Sequence, residues 1–309
     1  MILKNRQIAC PSILGLFLGL TISLLRPVSA EAYQLADHKR ITEQAIQELV
    51  ACFPNARPSL TTKWILLGDL GEDINLVTKE LLYSHYFNPH KKLPMYRYDS
   101  SVRISRLEIA LAPVLATASA EGAPGPTNSF STMLELGQVI HHLQDSSVPP
   151  HVVPVSHSLS DGFESYSFDG DIGSDMSCTE MAAIPHTPPA QVLIETAEAT
   201  LLTVATGKFE VEQIQAGHVQ TLSLGLNAFW QEASGDAFGD YGIFGNNFGR
   251  PQFTLKSGAL RSTLYNVPAE VFANLKQKQM KLGVRATIRA LVWYLNPTAN
   301  PPKNPLVNP

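Results

Sequence analysis

The chain has 309 residues, 44% of them hydrophobic and 16% charged, with a formal net charge of −4. That length and apolar content suffice for one large or two modest domains with a proper core. The acidic balance leaves no basic stripe of the kind nucleic-acid binders present, and carboxylates gathered around bound cations would account for part of the excess.

The first residues read as a secretory signal. Lys4 and Arg6 form a basic end, and Ile13 to Leu25 is an apolar run of 13 residues, too short to span a bilayer comfortably. Small residues mark two cleavage sites: Val28-Ser29-Ala30 would leave Glu31 first, and Ala30-Glu31-Ala32 would leave Tyr33 first. Removing residues 1–32 takes away Lys4, Arg6, Arg26 and Glu31, so the net charge becomes −6. No later stretch reads as a transmembrane anchor, so the sequence predicts a soluble mature chain, secreted or periplasmic. Cys10 precedes the apolar run, which argues against a lipoprotein anchor. Cys52 and Cys178 remain, and an oxidising compartment permits one bridge between them.

Asp37 to Val50 carries Ile41, Ala45, Ile46 and Leu49, followed by Phe53, on one helical face, with Asp37 placed to cap the helix and His38 in its first turn. Trp64 to Ile74 is an apolar run that ends in acidic residues and glycines. Twelve residues beyond Asp73 stands His85, in Ser84-His85-Tyr86-Phe87-Asn88-Pro89. Residues 91–130 read as helical scaffold between turns, and His90, beside two lysines, as solvated. Residues 131–146 then read as a helix with a buried face, on which Met133, Leu134, Leu136, Val139, Ile140 and Leu143 recur at helical spacing. On it His141 and Asp145 are four apart, one above the other. Such a pair is either a hydrogen-bonded couple or two ligands of one metal ion. Pro149 and Pro150 cannot continue that helix, so the chain turns and brings His151 back to the same end. His157, Asp161 and Glu164 follow.

From Pro188 onward the spacing predicts helices over 190–206, 209–233 and 272–295, the last interrupted at Gly283. Alternating patterns are scarce and the last 100 residues read as mostly helical, so no C-terminal lipid-binding β-domain is expected. The loop Gly235 to Gly249 is read as irregular, its aromatics alternatively lining a cleft rim. His186 and His218 have no partner pattern and are read as structural. Residues 296–309 hold five prolines and read as an extended tail.

Four blocks stand in order: His38-x-x-Ile41-Thr42-x-x-Ala45, Gly68 to Asp73, His85-Tyr86-Phe87-Asn88-Pro89, and His141-x3-Asp145-x5-His151. Together they resemble the bacterial zinc-dependent phospholipase C family, whose relatives include the fungal single-strand-specific zinc nucleases. The likeness runs from about residue 33 to 165. It implies an all-α fold, a single multi-helix domain over residues 33–295 built around a tri-zinc cluster. In that picture Asp73, His85, His141 and Asp145 hold the first Zn2+. Asp145 bridges to a second ion, held also by His38 and by the backbone amine and carbonyl of Tyr33. That role needs cleavage after Ala32; cleavage after Ala30 moves the amine by roughly 7 Å of extended chain.

The third ion would take His151, His157 and a carboxylate. His157-x3-Asp161 follows the nuclease-like spacing, and Glu164 in Phe-Glu-x-Tyr the phospholipase-like wording, with Ser160 where a histidine would stand and a shorter loop before His157. Asp73 would also serve as the base that orients water. The implied activity is a secreted zinc-dependent phosphodiesterase, phospholipase C-type toward phospholipid, with peripheral contact at a membrane surface. A single-strand-type nuclease and a non-catalytic exported metal-binding protein are the alternatives.

Overall fold

The computed structural model describes residues 35–74, 85–91, 129–156, 161–257 and 261–295. The signal-like segment, Tyr33, most of the stretch read as scaffold at 91–130, His157 and the proline-rich tail lie outside these residues.

The helix α1 (Leu35–Cys52) buries Ile41, Ala45, Ile46 and Leu49, as its spacing predicts. Asp37 does not act as its cap. It sits inside the first turn, where its carboxylate pairs with the Lys276 ammonium at 2.9 Å. The helix α2 (Thr62–Ile74) packs against α3 (Phe130–Asp145). α3 begins at Ser129, whose hydroxyl accepts from Thr132 N, and buries Met133, Leu136, Val139, Ile140 and Leu143. At the α2–α3 crossing two glycines face one another. A Cβ on Gly137 would lie 2.8 Å from Asp69 N and 2.9 Å from Gly68 Cα, so the backbones touch directly.

Pro149 and Pro150 stop α3 by starting a new helical turn, α4 (Pro149–Val152), where a proline costs no hydrogen bond. Two further short helices follow, α5 (Gly162–Ser165) and α6 (Cys178–Ala182), then the long α7 (Pro189–Thr206). The last, α8 (Ala269–Leu295), is continuous through Gly283. A Cβ there would come within 3.2 Å of Ser147 Oγ and 3.4 Å of Ile41, so Gly283 lets α8 sit close against α1 and the end of α3. A disulfide joins Cys52 to Cys178, tying the end of α1 to the start of α6.

Between α7 and α8 the helical expectation fails, and with it the all-α class. Residues read as a helix over 209–233 form the strands β1 (Lys208–Gln215) and β2 (His218–Gly225). Two short strands, β3 (Trp230–Gln231) and β4 (Asp240–Tyr241), pair with each other. Finally β5 (Gln252–Ser257) and β6 (Arg261–Asn266) complete a four-stranded antiparallel sheet in the order β2-β1-β6-β5. The described residues are therefore α+β. The physical reason lies in β1 itself: Phe209 and Val211 are buried while Lys208, Glu210 and Glu212 are exposed, a period of two. Ala216 and Gly217 both take positive φ, 50° and 83°, the two-residue turn that matches strand twist.

The sheet's inner face meets an aromatic cluster. Phe209 stacks on Phe229 at 5.5 Å, and Phe229 in turn contacts Phe248 and Phe272. Phe244 and Phe248, from the loop read as irregular, are buried here and line no rim. The same cluster reaches Phe163 of α5 and thereby braces the segment that carries Glu164. Among the described residues no helix is long and apolar enough to cross a membrane.

Candidate metal centre

Five elements converge on Asp145. It closes the last turn of α3 and is buried, as are His38 from α1, Asp73 from α2, His85 from the segment after it, His141 one turn earlier on α3, and His151 from α4. Its two oxygens face different partners. Oδ2 lies 2.6 Å from His85 Nδ1 and 3.3 Å from His141 Nε2. Oδ1 lies 3.6 Å from His38 Nε2 and 3.5 Å from His151 Nδ1. Asp73 completes the set, 3.7 Å from His38 Nε2 and 3.9 Å from His141 Nε2.

These separations carry chemical information. Two atoms each about 2.0–2.1 Å from a tetrahedral ion sit about 3.3 Å from one another. Most gaps around Asp145 are close to that value and longer than a good hydrogen bond. Two groups of residues, His38–Asp69–His141 and Asp73–His85–His141, have ligand atoms within 4.8 Å of one another. Asp69 Oδ1, His85 Nε2, His141 Nδ1 and Asp145 Oδ1 are buried with no hydrogen-bond partner among the described residues. Each buried polar atom left so costs about 1–3 kcal/mol. Buried imidazoles and carboxylates with this arrangement could hold a metal ion.

Burial and neighbouring charges act against each other on these groups. Burial pushes the His85 pKa down to about 4, Asp145 offsetting it only in part. For His141 burial also opposes the charge, but Asp145 and Asp73 outweigh it and lift the pKa well above the ordinary histidine value. Burial would raise Asp145, yet His141, His85 and His151 hold it well below the usual carboxylate range. His151 is raised, because Asp145 and Glu164 overcome its burial. A divalent cation held here would displace protons and compensate the buried carboxylates in their place.

Of the residues predicted for a third ion, His151, Asp161 and Glu164 are described. His151 Nε2 meets Glu164 Oε1 at 2.8 Å, so those two share a site. Asp161 has other partners. One of its oxygens caps α5 by accepting from Phe163 N at 2.6 Å, and the other accepts from Trp230 Nε1 at 3.2 Å. Glu164 Oε2 accepts from Asp161 N, closing a capping box. Tyr33 and His157 fall outside the described residues.

Comparison with known protein families, characterised proteins and solved structures finds no match for this chain.

Three contributors were not singled out from sequence. Asp69, one turn before Asp73 on α2, is fully buried, 3.4 Å from His141 Nδ1 and 3.6 Å from His38 Nδ1. Its i, i+4 relation to Asp73 was the available signal. Gln144 accepts from His38 Nδ1 at 2.6 Å and donates to Thr42. Lys276, fully buried on α8, donates to Phe163 O at 2.9 Å while pairing with Asp37 beside His38. No local pattern announces a buried lysine. The other predicted histidines are peripheral: His186 leans on Trp293, and His218 is exposed on β2.

Proposed function

We propose that the chain is an exported zinc-dependent phosphodiesterase, most consistent with phospholipase C-type hydrolysis of a phospholipid. The observation that carries this reading is the placement of Asp145 between two sets of imidazoles, one facing each carboxylate oxygen. Histidine nitrogen with carboxylate oxygen is the donor set of zinc. The order of the four sequence blocks supports the same assignment.

Asp73, His85, His141 and Asp145 would hold one ion, and His38 with Asp145 would contribute to a second. Bound there, such ions supply an acidified water and positive charge against the phosphate oxygens. The chain's own groups do the remaining work. Asp73, at the end of α2, orients the attacking water and accepts its proton. Asp145 holds the two imidazole sets at fixed spacing. Thr287 of α8 accepts from Gln144 Nε2 at 3.3 Å, and the burial of the surrounding imidazoles and carboxylates keeps bulk water from them.

A single-strand-type nuclease is the second reading, and the His157-x3-Asp161 spacing is what favours it. The engagement of both Asp161 oxygens by Phe163 N and Trp230 Nε1 weighs against it, and the Glu164–His151 contact favours the phospholipase-like set. The deciding experiment assays the exported chain on phosphatidylcholine vesicles and on single-stranded DNA side by side, with metal analysis and N-terminal sequencing of the same sample. Release of diacylglycerol that stops on chelation and returns with zinc is the expected result. Bound zinc without turnover of either substrate would favour the non-catalytic alternative.

A further inference from the structure

We propose that Asp69 is a positioning residue of the metal centre, accepting a hydrogen bond from Nδ1–H of His141 and thereby assigning Nε2 of that ring to the metal. The inference rests on the metal reading above and adds to it the orientation of the ligands.

Two candidate ion positions compete for His141 through opposite nitrogens of one ring. A neutral imidazole has a single lone pair, so it ligates through one nitrogen and donates a proton from the other. On the Nδ1 side, His141 and His38 lie 3.4 and 3.6 Å from Asp69 Oδ1. On the Nε2 side, His141 lies 3.2 Å from His85 Nδ1, 3.3 Å from Asp145 Oδ2 and 3.9 Å from Asp73 Oδ1.

Counting donors decides between them. His38 Nδ1 is already committed to Gln144 Oε1 at 2.6 Å. Among the described residues that leaves His141 and Asp69 on the Nδ1 side, fewer than the three or four protein ligands zinc takes. The Nε2 side gathers His38 Nε2, Asp73, His85 and Asp145. The rings of His38 and His141 are stacked, 4.2 Å between centroids and 21° apart in plane, so both present Nδ1 to one side and Nε2 to the other.

Asp69 is built to accept a hydrogen bond from that ring. Its Oδ1 and His141 Nδ1 are both buried without a hydrogen-bond partner among the described residues, and they face each other. A small ring rotation closes 3.4 Å to the ~2.9 Å of a formed bond. The other oxygen of Asp69 accepts from Thr42 Oγ1 at 2.5 Å, and that hydroxyl accepts from Gln144 Nε2 at 2.7 Å. One chain of bonds, Asp69–Thr42–Gln144, therefore sets the tautomer of both stacked imidazoles.

Zinc stoichiometry and affinity, measured by competition with a chromophoric chelator on the exported chain, test this in wild type, Asp69→Asn, Asp69→Ala and Asp145→Asn. The Asp69 variants are expected to bind as many ions as wild type, about 10- to 100-fold more weakly, with Asn losing less than Ala. Their cobalt-substituted visible spectra should keep the wild-type shape, whereas Asp145→Asn should lose ions outright. One ion fewer in Asp69→Ala would make Asp69 a ligand and overturn the inference; so would unchanged affinity. Should the variants fail to fold, nitrogen NMR of histidine-labelled, zinc-loaded wild type decides: the proton belongs on His141 Nδ1, and a proton on Nε2 refutes the assignment. A wild-type chain that binds no zinc overturns the metal reading as well, while every other adverse outcome strikes this inference alone.

Discussion

The glycine contact between α2 and α3 makes a quantitative test of how the centre is spaced. In Gly137→Ala the new methyl would run into the Ile65 carbonyl and approach Asp69 N to 2.8 Å and Gly68 Cα to 2.9 Å. Ordinary contact begins near 3.5 Å, so the two helices must part by roughly 1 Å. Overpacking of this kind costs about 1–3 kcal/mol, against about 1 kcal/mol gained in helix propensity. The displacement matters more for the metal. Asp73 rides on α2 and His141 and Asp145 on α3, while metal–ligand distances tolerate only about 0.2 Å. Zinc affinity should fall at least 10-fold, with a lower melting temperature in the metal-free form. Gly71→Ala is the matched control: it sits on the same α2 with nothing within 4 Å of its Cβ, so propensity alone should raise its stability slightly. Calorimetry and zinc competition on both variants provide the readout. If Gly137→Ala binds zinc like wild type and melts no lower, backbone contact between these helices does not set the ligand spacing.

Lys276→Met strands Asp37 in a buried site, and denaturant titration should show a loss of about 3–5 kcal/mol; adding Asp37→Leu should recover most of it. Replacing both Cys52 and Cys178 by serine opens a link across 126 residues of sequence, which loop entropy values at about 4–5 kcal/mol, and should lower the melting temperature by about 10 °C. In the metal-free protein, NMR titration should find His85 changing charge near pH 4 and His141 well above the ordinary histidine range. The signs then oppose. The unfolded chain protonates His85 at about 6.5 and the folded one only near 4, so its contribution is present above 6.5 and is lost as pH falls through that window. The contributions of His141 and His151 are present below 6.5 and are lost as pH rises through their elevated folded values.

Helices were legible wherever a single apolar stripe ran long enough. α1, α3, α7 and α8 all announce themselves by residues three and four apart, and α8 absorbs Gly283 because tight packing against α1 needs a residue without a side chain there. The sheet is missed because a helix expected over 209–233 passes over the alternation within β1. The strict alternation Lys-Phe-Glu-Val-Glu, followed by Ala216-Gly217, was the stronger signal. Within the candidate site, residues on one short segment were readable from spacing, as His141, Asp145 and His151 were. Asp69, Gln144 and Lys276 were not, since their roles depend on partners far away in sequence: Gln144 on His38, and Lys276 on Asp37.

The Cys52–Cys178 bond also bears on how the protein matures. Asp73, His85, His141, Asp145, His151 and Glu164 all fall inside the covalent ring it closes, and His38 lies just before it. Oxidation would thus hold these scattered segments in a restricted volume whether or not an ion has bound. A thiol-reduced chain would have to assemble the same segments against the full freedom of an open polymer, making the order of oxidation and metal uptake a determinant of yield.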